Sequence, residues 1–160
     1  MTENDNKINF VVHNIYVKDI SFEAPHSPKV FTLDWKPKLE FEIETGRSKL
    51  EGALHEVVIS ITVKVKVEQP NATVPENLTA FIVEVKQAGI FMLEGVVDPQ
   101  QVDYILATAA PNILFPYARQ IISILVTQGG FPQLIVPPMN FEAMYQQHLM
   151  EREPMTEAAN

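Results

Sequence analysis

The chain has no cysteine in its 160 residues. That absence excludes disulfide frameworks, thiol nucleophiles, thiolate zinc sites and iron–sulfur clusters together. Basic residues are scarce: 12 lysines and arginines stand against 20 aspartates and glutamates, a net charge of −8. A protein that coats nucleic acid or docks on an anionic membrane through a polybasic patch needs the opposite balance. No stretch approaches the roughly 18 uninterrupted apolar residues of a membrane span, and the opening MTENDNKINF lacks the apolar run of a signal peptide. Neither nucleic acid nor direct membrane insertion is therefore expected, and the expected compartment is the cytoplasm. Phosphate-cradling glycine motifs and a nucleophile elbow are missing as well; the one Gly-Gly pair, Gly129-Gly130, follows a helical segment rather than preceding one. The histidines, His13, His26, His55 and His148, are scattered and never at metal-ligand spacing. No catalytic constellation, cofactor or metal is expected.

What is present is an apolar fraction of 46% against 20% charged. That suffices for one domain burying about two thirds of its unfolded surface. We place it at residues 9–151, between a flexible N-terminus (1–8) and a flexible tail (152–160). Charge is unevenly spread: from Tyr104 to Phe141 the sole charged residue is Arg119. An acidic protein of this size has difficulty hiding so long a neutral stretch within one chain, so part of it reads as a subunit interface or binding groove. An unusually apolar pair of core helices is the plainer reading.

The first half reads as strands. In residues 9–23 the apolar parity switches twice, from Phe10 and Val12 to Ile15 and Val17 and then to Ile20 and Phe22, which predicts a long strand with one or two bulges. The segment EAPHSPKVFTLDWKPK holds three prolines and is expected to be neither helix nor central strand but an ordered crossover. Leu39, Phe41 and Ile43 alternate with Glu40, Glu42 and Glu44 in a strand ending at Thr45-Gly46. The alternating glutamates read as a solvated face rather than as acid/base pairs. A third strand alternates Val57, Ile59, Ile61, Val63, Val65 and Val67 with Ser60, Thr62, Lys64 and Lys66. EQPNATVPEN reads as a polar loop, and a fourth strand as Thr79 to Leu93. Its Asn71-Ala72-Thr73 triplet, like Asn77-Leu78-Thr79 beside it, is glycosylation-like but carries no weight without a signal peptide.

The second half reads as helices. Asp98-Pro99 is an N-cap followed by a first-position proline. One helix is expected to Ala110, ended or kinked by Pro111, and another over 112–128 with a break at Pro116 and a stop at Gly129-Gly130. FPQLIVPP is extended between proline fences, and Asn140 caps a last helix from Phe141 to about Glu151. The fold class is thus α+β: a four-stranded antiparallel sheet with helices on one face and a C-terminal helix after the extended segment. Aromatics stand out where a core does not require them: Trp35 in the crossover, and Phe115, Tyr117, Phe131 and Phe141 near helix ends. By spacing alone, a surface for apolar polypeptide segments and simple anchoring of loops are equally supported.

Several blocks closely resemble the SecB family of protein-export chaperones: DISFEAP at 19–25, VEVKQAGIF at 83–91, PNILFPYAR at 111–119, GFPQL at 130–134 and PPMNFEAMY at 137–145. They occur in order over residues 8–150. The resemblance implies a homotetramer, a dimer of dimers. It implies binding of unfolded precursor proteins and their transfer to the SecA ATPase at the membrane translocon, with no catalysis and no ATP requirement. It implies a SecA-binding surface at the positions of Asp19, Glu23, Ile82 and Glu84. Asp19 and Glu23 share one parity and stand about 13 Å apart on an extended strand. It further implies a client groove built from the crossover and the inter-helix segment. Within that groove we select Phe31, Trp35, Phe131, Leu134 and Ile135, with Met139, Phe141, Met144 and Tyr145 from the helix side. Three features depart from the pattern. The EQPNATVPENLT loop looks longer than in familiar members, some cysteine-bearing positions differ, and the short tail gives little ground for transferring tail contacts. The competing readings are a small-molecule-binding or catalytic domain on a curved antiparallel sheet, and a structural subunit of a larger complex.

Overall fold

A computed structural model describes residues 7–70 and 76–157. Four strands run Asn9–Glu23 (β1), Pro37–Lys49 (β2), Leu54–Gln69 (β3) and Glu76–Glu94 (β4), followed by helices Pro99–Gln128 (α1) and Phe141–Glu157 (α2). The strands form one antiparallel sheet in the order β1-β4-β3-β2, so the first two strands are its opposite edges. Segment 24–36 is the crossover between those edges. A short 3-10 turn within it, Lys29–Thr32, corrects the expectation of no helical structure. A single turn needs no long hydrogen-bond ladder, and the buried Val30 anchors this one.

The parity switches in β1 are bulges. Register shifts fall between Val12 and Asn14 and between Val17 and Asp19. Each inserts one residue, His13 and then Lys18, and returns the apolar side chains to one face. Phe10, Val12, Ile15, Val17, Ile20 and Phe22 consequently stand opposite Leu93, Phe91, Gly89, Gln87, Val85 and Val83, on the side that carries the helices.

β2 continues past Gly46 to Lys49, because β3 opposes it without interruption as far as His55. Glu68 and Gln69 belong to β3 and pair with Asn77 and Glu76 of β4, so the loop is shorter than expected. Residues 71–75, including the Asn71-Ala72-Thr73 triplet, lie outside the described residues, as do 1–6 and 158–160. The second triplet sits within β4.

The two expected helical segments are one. α1 runs 30 residues with Pro111 and Pro116 inside it, about 45 Å at the usual rise. An internal proline removes a backbone bond and costs about 3 kcal/mol. What outweighs that cost is the row Leu106, Ala110, Leu114, Ala118, Ile122 and Val126, one residue every four, all buried against β4 and β3. Asp98 caps the start by accepting from the Gln100 amide at 3.0 Å, and the chain leaves at Gly129 and Gly130. Asn140 caps α2, its Oδ1 accepting from the Ala143 amide at 3.0 Å. α2 extends to Glu157, beyond the expected Glu151.

The tightest contact between layers is at Gly89 of β4. A Cβ there would lie 2.8 Å from Cε2 of Phe91 and 3.0 Å from Cδ2 of Leu114. The Phe91 ring cannot yield, because it stacks on Phe10 at 5.3 Å and is fully buried. Gly89→Ala should cost about 1–3 kcal/mol, lowering Tm by several degrees in a thermal melt. Gly46→Ala, where a Cβ meets nothing within 4 Å, should leave Tm unchanged or slightly raised. Equal Tm values for both variants contradict this account of the layer spacing.

Candidate functional site

Phe131, the first residue after α1 and its glycines, is the hub of an aromatic cluster. Its ring lies 4.9 Å from Phe81 of β4, 5.1 Å from Phe31, 5.7 Å from Trp35 and 6.5 Å from Phe22 of β1. Two glycines permit this convergence. Gly130 has φ 89°, and a side chain on Gly129 would collide with Phe22. The crossover is pinned by His26, whose Nδ1 hydrogen-bonds the Thr79 carbonyl at 2.9 Å. A carbonyl only accepts, so Nδ1 carries the proton.

The cluster is graded from inside to outside. Phe131 is 4% exposed, Trp35 37% and Phe31 50%. Phe131 therefore supports the surface from beneath rather than lining it. Leu134 and Met139 lie partly buried along the extended segment, while Ile135 stands 80% exposed. Phe141 is also buried, edge-on to Phe115 at 5.8 Å. Phe22 and Phe81, which sequence reasoning assigned to strand cores alone, complete the floor. Leu39 of β2 was treated the same way, yet it is among the exposed apolar residues. Its position beside Pro37, ahead of the region that α2 reaches, is the signal that could have marked it.

Phe141, Met144 and Tyr145 line a second feature, a cleft of about 670 Å³ between β2 and α2. Its floor includes Leu106 and Ala107 of α1. Arg47 of β2 forms an ion pair with Asp103 of α1 and donates from Nη1 to the Asp103 carbonyl at 3.3 Å. Tyr104 donates to Glu142 at 2.9 Å and meets Tyr145 edge-on at 5.5 Å. The selected groove residues thus form two patches: aromatic at the α1 C-terminus, and mixed apolar and polar at the α1 N-terminus. The segment 131–140 joins them.

The outer face of the sheet, away from the helices, carries the third feature. Glu23 stands opposite Ile82, Ser21 opposite Glu84, and Asp19 opposite Lys86. All four residues selected for docking therefore share one patch across β1 and β4, with Asp19, Glu23 and Glu84 exposed. Further along this face, Tyr16 of β1 reaches across β4 to donate to Glu56 of β3, and Lys18 meets Glu56 at 3.1 Å. Burial first, and then the Glu56 contact, push the Tyr16 hydroxyl up to about 12. Tyr16 first, and Lys18 after it, hold Glu56 below its ordinary value.

The match that decides the family covers nearly the whole chain: the model described as preprotein translocase subunit SecB fits residues 3–152. The chain belongs to the SecB family. Protein-export protein SecB of Hydrogenovibrio crunogenus is 41% identical over 156 residues, covering 98% of this chain and 99% of that protein. The protein of the same name from Methylococcus capsulatus is 43% identical over 150 residues, covering 94% and 91%. Among solved structures, a SecB-like chaperone of Mycobacterium tuberculosis in complex with an antitoxin peptide superposes with TM-score 0.64 at 16% identity, covering 82% of this chain and 91% of that one. That likeness is one of fold. The SecB-type α+β sheet-and-helix architecture is the one expected from the sequence.

The Tyr16–Glu56 bond ties the edge strand β1 to β3, and it has a pH signature. A hydroxyl with a raised folded-state value stabilises the fold below its ordinary value of 10.0. That contribution is lost as pH climbs towards 12. A depressed carboxylate contributes above its ordinary range and loses the contribution as pH falls through it. Tyr16→Phe should cost about 0.5–1.5 kcal/mol near neutrality, as for a partly solvated hydrogen bond. In urea titrations the gap between the two proteins should narrow between about pH 10 and 12 and again in acid. A gap that stays flat across the alkaline window contradicts the assignment.

Proposed function

We propose that this SecB-family chain is a protein-export chaperone. It binds unfolded precursor proteins in the cytoplasm, keeps them competent for translocation and delivers them to the SecA ATPase. It catalyses nothing, uses no cofactor and contacts neither nucleic acid nor the bilayer interior. The observation that carries this reading is the half-exposed pair Phe31 and Trp35 standing on buried Phe131. A folded protein that leaves large aromatics open on a rigid floor offers area to apolar side chains without demanding a hydrogen-bond pattern. That suits clients of many sequences. Ile135, Leu134 and Met139 extend the area along the inter-helix segment, with Met144 and Tyr145 at its far end.

Each such contact is worth about 1 kcal/mol, because burial is partial and an unfolded client loses entropy on binding. Affinity then comes from many contacts across several subunits of a homotetramer, a dimer of dimers. The uncovered apolar face of β1, with Val12, Val17 and Ile20 exposed, supplies surface for that assembly. Asp19, Glu23 and Glu84, with Ile82 among them, form the docking patch for SecA, where clustered negative charge steers and orients a basic partner segment.

The test is to add a slowly folding, tryptophan-free precursor without nucleotide and follow its refolding. The chain should hold it unfolded, and Trp35, the single tryptophan, should shift its emission. Trp35→Ala should weaken holding about fivefold, the equivalent of about 1 kcal/mol. Glu84→Lys should leave holding intact and lower SecA affinity in a salt-sensitive manner. Refolding at the unassisted rate, with Trp35 emission unchanged, contradicts the proposal. Saturable binding of one small ligand in the 670 Å³ cleft would favour the small-molecule reading instead.

A further inference from the structure

The outer face of the sheet changes character along the strands. The rows that cross β4 at Ile82, Glu84 and Lys86 hold the docking patch, and two of them end on Glu42 and Glu44 of β2. A shallow depression of about 230 Å³ lies there, lined by Glu42, Glu44, Glu84 and Lys86 among others. One step further along β4 the outward residues become Ala88, Ile90 and Met92. Their cross-strand neighbours include Val58 and Leu54 of β3 and Val11 of β1. Charge gives way to apolar side chains within a single row.

Val11, Leu54, Val58, Ile90 and Met92 are not part of the buried core. Val11 is 39% exposed, and the other four are partly exposed. Apolar side chains grouped in this way, rather than scattered, mark an interaction surface. The carboxylate among them, Glu56, is already engaged by Tyr16 and Lys18. The helices lie on the opposite side of the sheet, and so do Val12, Val17 and Ile20 of β1. Assembly through that side of β1 leaves this group uncovered.

We propose that the apolar group is the second half of the docking surface. It receives an apolar stretch of the same partner whose basic stretch meets Asp19, Glu23 and Glu84. The inference rests on the SecA-docking reading above and adds what else the partner's docking segment must carry. The two halves are continuous on one face, which is why one partner is the occupant. Exposed ion pairs contribute little net affinity, because water and salt compete for them. They govern the rate and orientation of encounter. Buried apolar area beside them slows release, and that is where most differences in affinity arise. Glu84 and Ile90 are six residues apart on one strand, about 20 Å. The partner therefore carries a basic cluster and an apolar cluster about six residues apart if extended, or about thirteen if helical.

The experiment uses the full-length protein and SecA. The triple variant Val58→Thr, Ile90→Thr and Met92→Thr ends in threonine at each position, a good strand former that removes apolar surface. It should bind SecA about tenfold more weakly, with the salt dependence of the natural chain. Glu84→Lys should weaken binding and flatten that dependence. In the natural chain, a carbon-13-labelled methyl of Met92 should shift when SecA is added and stay in place when an unfolded precursor is added. A folded triple variant that binds SecA as tightly as the natural chain overturns the apolar half. So does a Met92 methyl that SecA leaves unmoved. Either result leaves the acidic patch standing if Glu84→Lys still weakens binding. Glu84→Lys without effect overturns both readings. A Met92 shift on adding precursor alone makes an unfolded client the occupant, and one that grows with protein concentration alone makes it a second copy; each overturns the proposal.

Discussion

A helix is about 10–12 Å across and strands are spaced about 4.8 Å apart, so one helix covers two strands and no more. This sheet has four strands and one long helix, and most of the architecture follows from that mismatch. The buried row from Leu106 to Val126 lies over β3 and β4. The helix-side faces of both edge strands are left to other partners. On β2 they meet the cleft below α2; on β1 Phe10, Ile15 and Phe22 pack against the core, Phe22 beside Phe131, while Val12, Val17 and Ile20 meet solvent within this chain.

The two uncovered faces differ in chemistry. On β1, bulges keep six apolar residues on one side, although a bulge-free strand would have turned some of them outward. Phe10, Ile15 and Phe22 of that face pack against this chain's own core; Val12, Val17 and Ile20 stay exposed, and a second copy of the chain is the simplest symmetric cover for them. At the crossover, by contrast, the exposed groups are Phe31 and Trp35 standing on a rigid buried floor around Phe131, which Phe81 of β4 and Phe22 of β1 complete. The proposed division of labour is self-assembly at the exposed part of β1 and client binding along the crossover, the inter-helix segment and the cleft beside β2. The outer face is left to carry the acidic docking patch.

Much of this was legible in local pattern. The strict alternation of β3 and the double parity switch of β1 both report side-chain direction, which a strand fixes residue by residue. The prolines of the crossover act locally and did exclude a long helix there, but not the single 3-10 turn at Lys29–Thr32, and the last of them, Pro37, opens β2. The same reasoning failed at Pro111 and Pro116, where the deciding term is tertiary. The four-residue spacing from Leu106 to Val126 runs through both prolines and was visible in the sequence, but its burial outweighs the local cost only once the sheet is in place. Phe131 and Phe141 were likewise recognisable as aromatics flanking helix ends, yet their depth depends on what packs over them. The meeting of Asp19 and Glu23 with Ile82 and Glu84 required β1 to pair with β4 rather than with β2. That is a matter of strand order, which hydrophobic periodicity does not encode.

The central claim, that the helix-side face of β1 is left open for a second copy, is tested most directly by a light-scattering mass at micromolar concentration for the natural chain and for Val17→Asp with Ile20→Asp. The natural chain should weigh four times 18.1 kDa, about 72 kDa for a closed tetramer. The double variant should dissociate to a smaller species with an unchanged circular dichroism spectrum. A natural chain near 18.1 kDa, or a folded double variant that keeps the tetramer mass, would contradict the account.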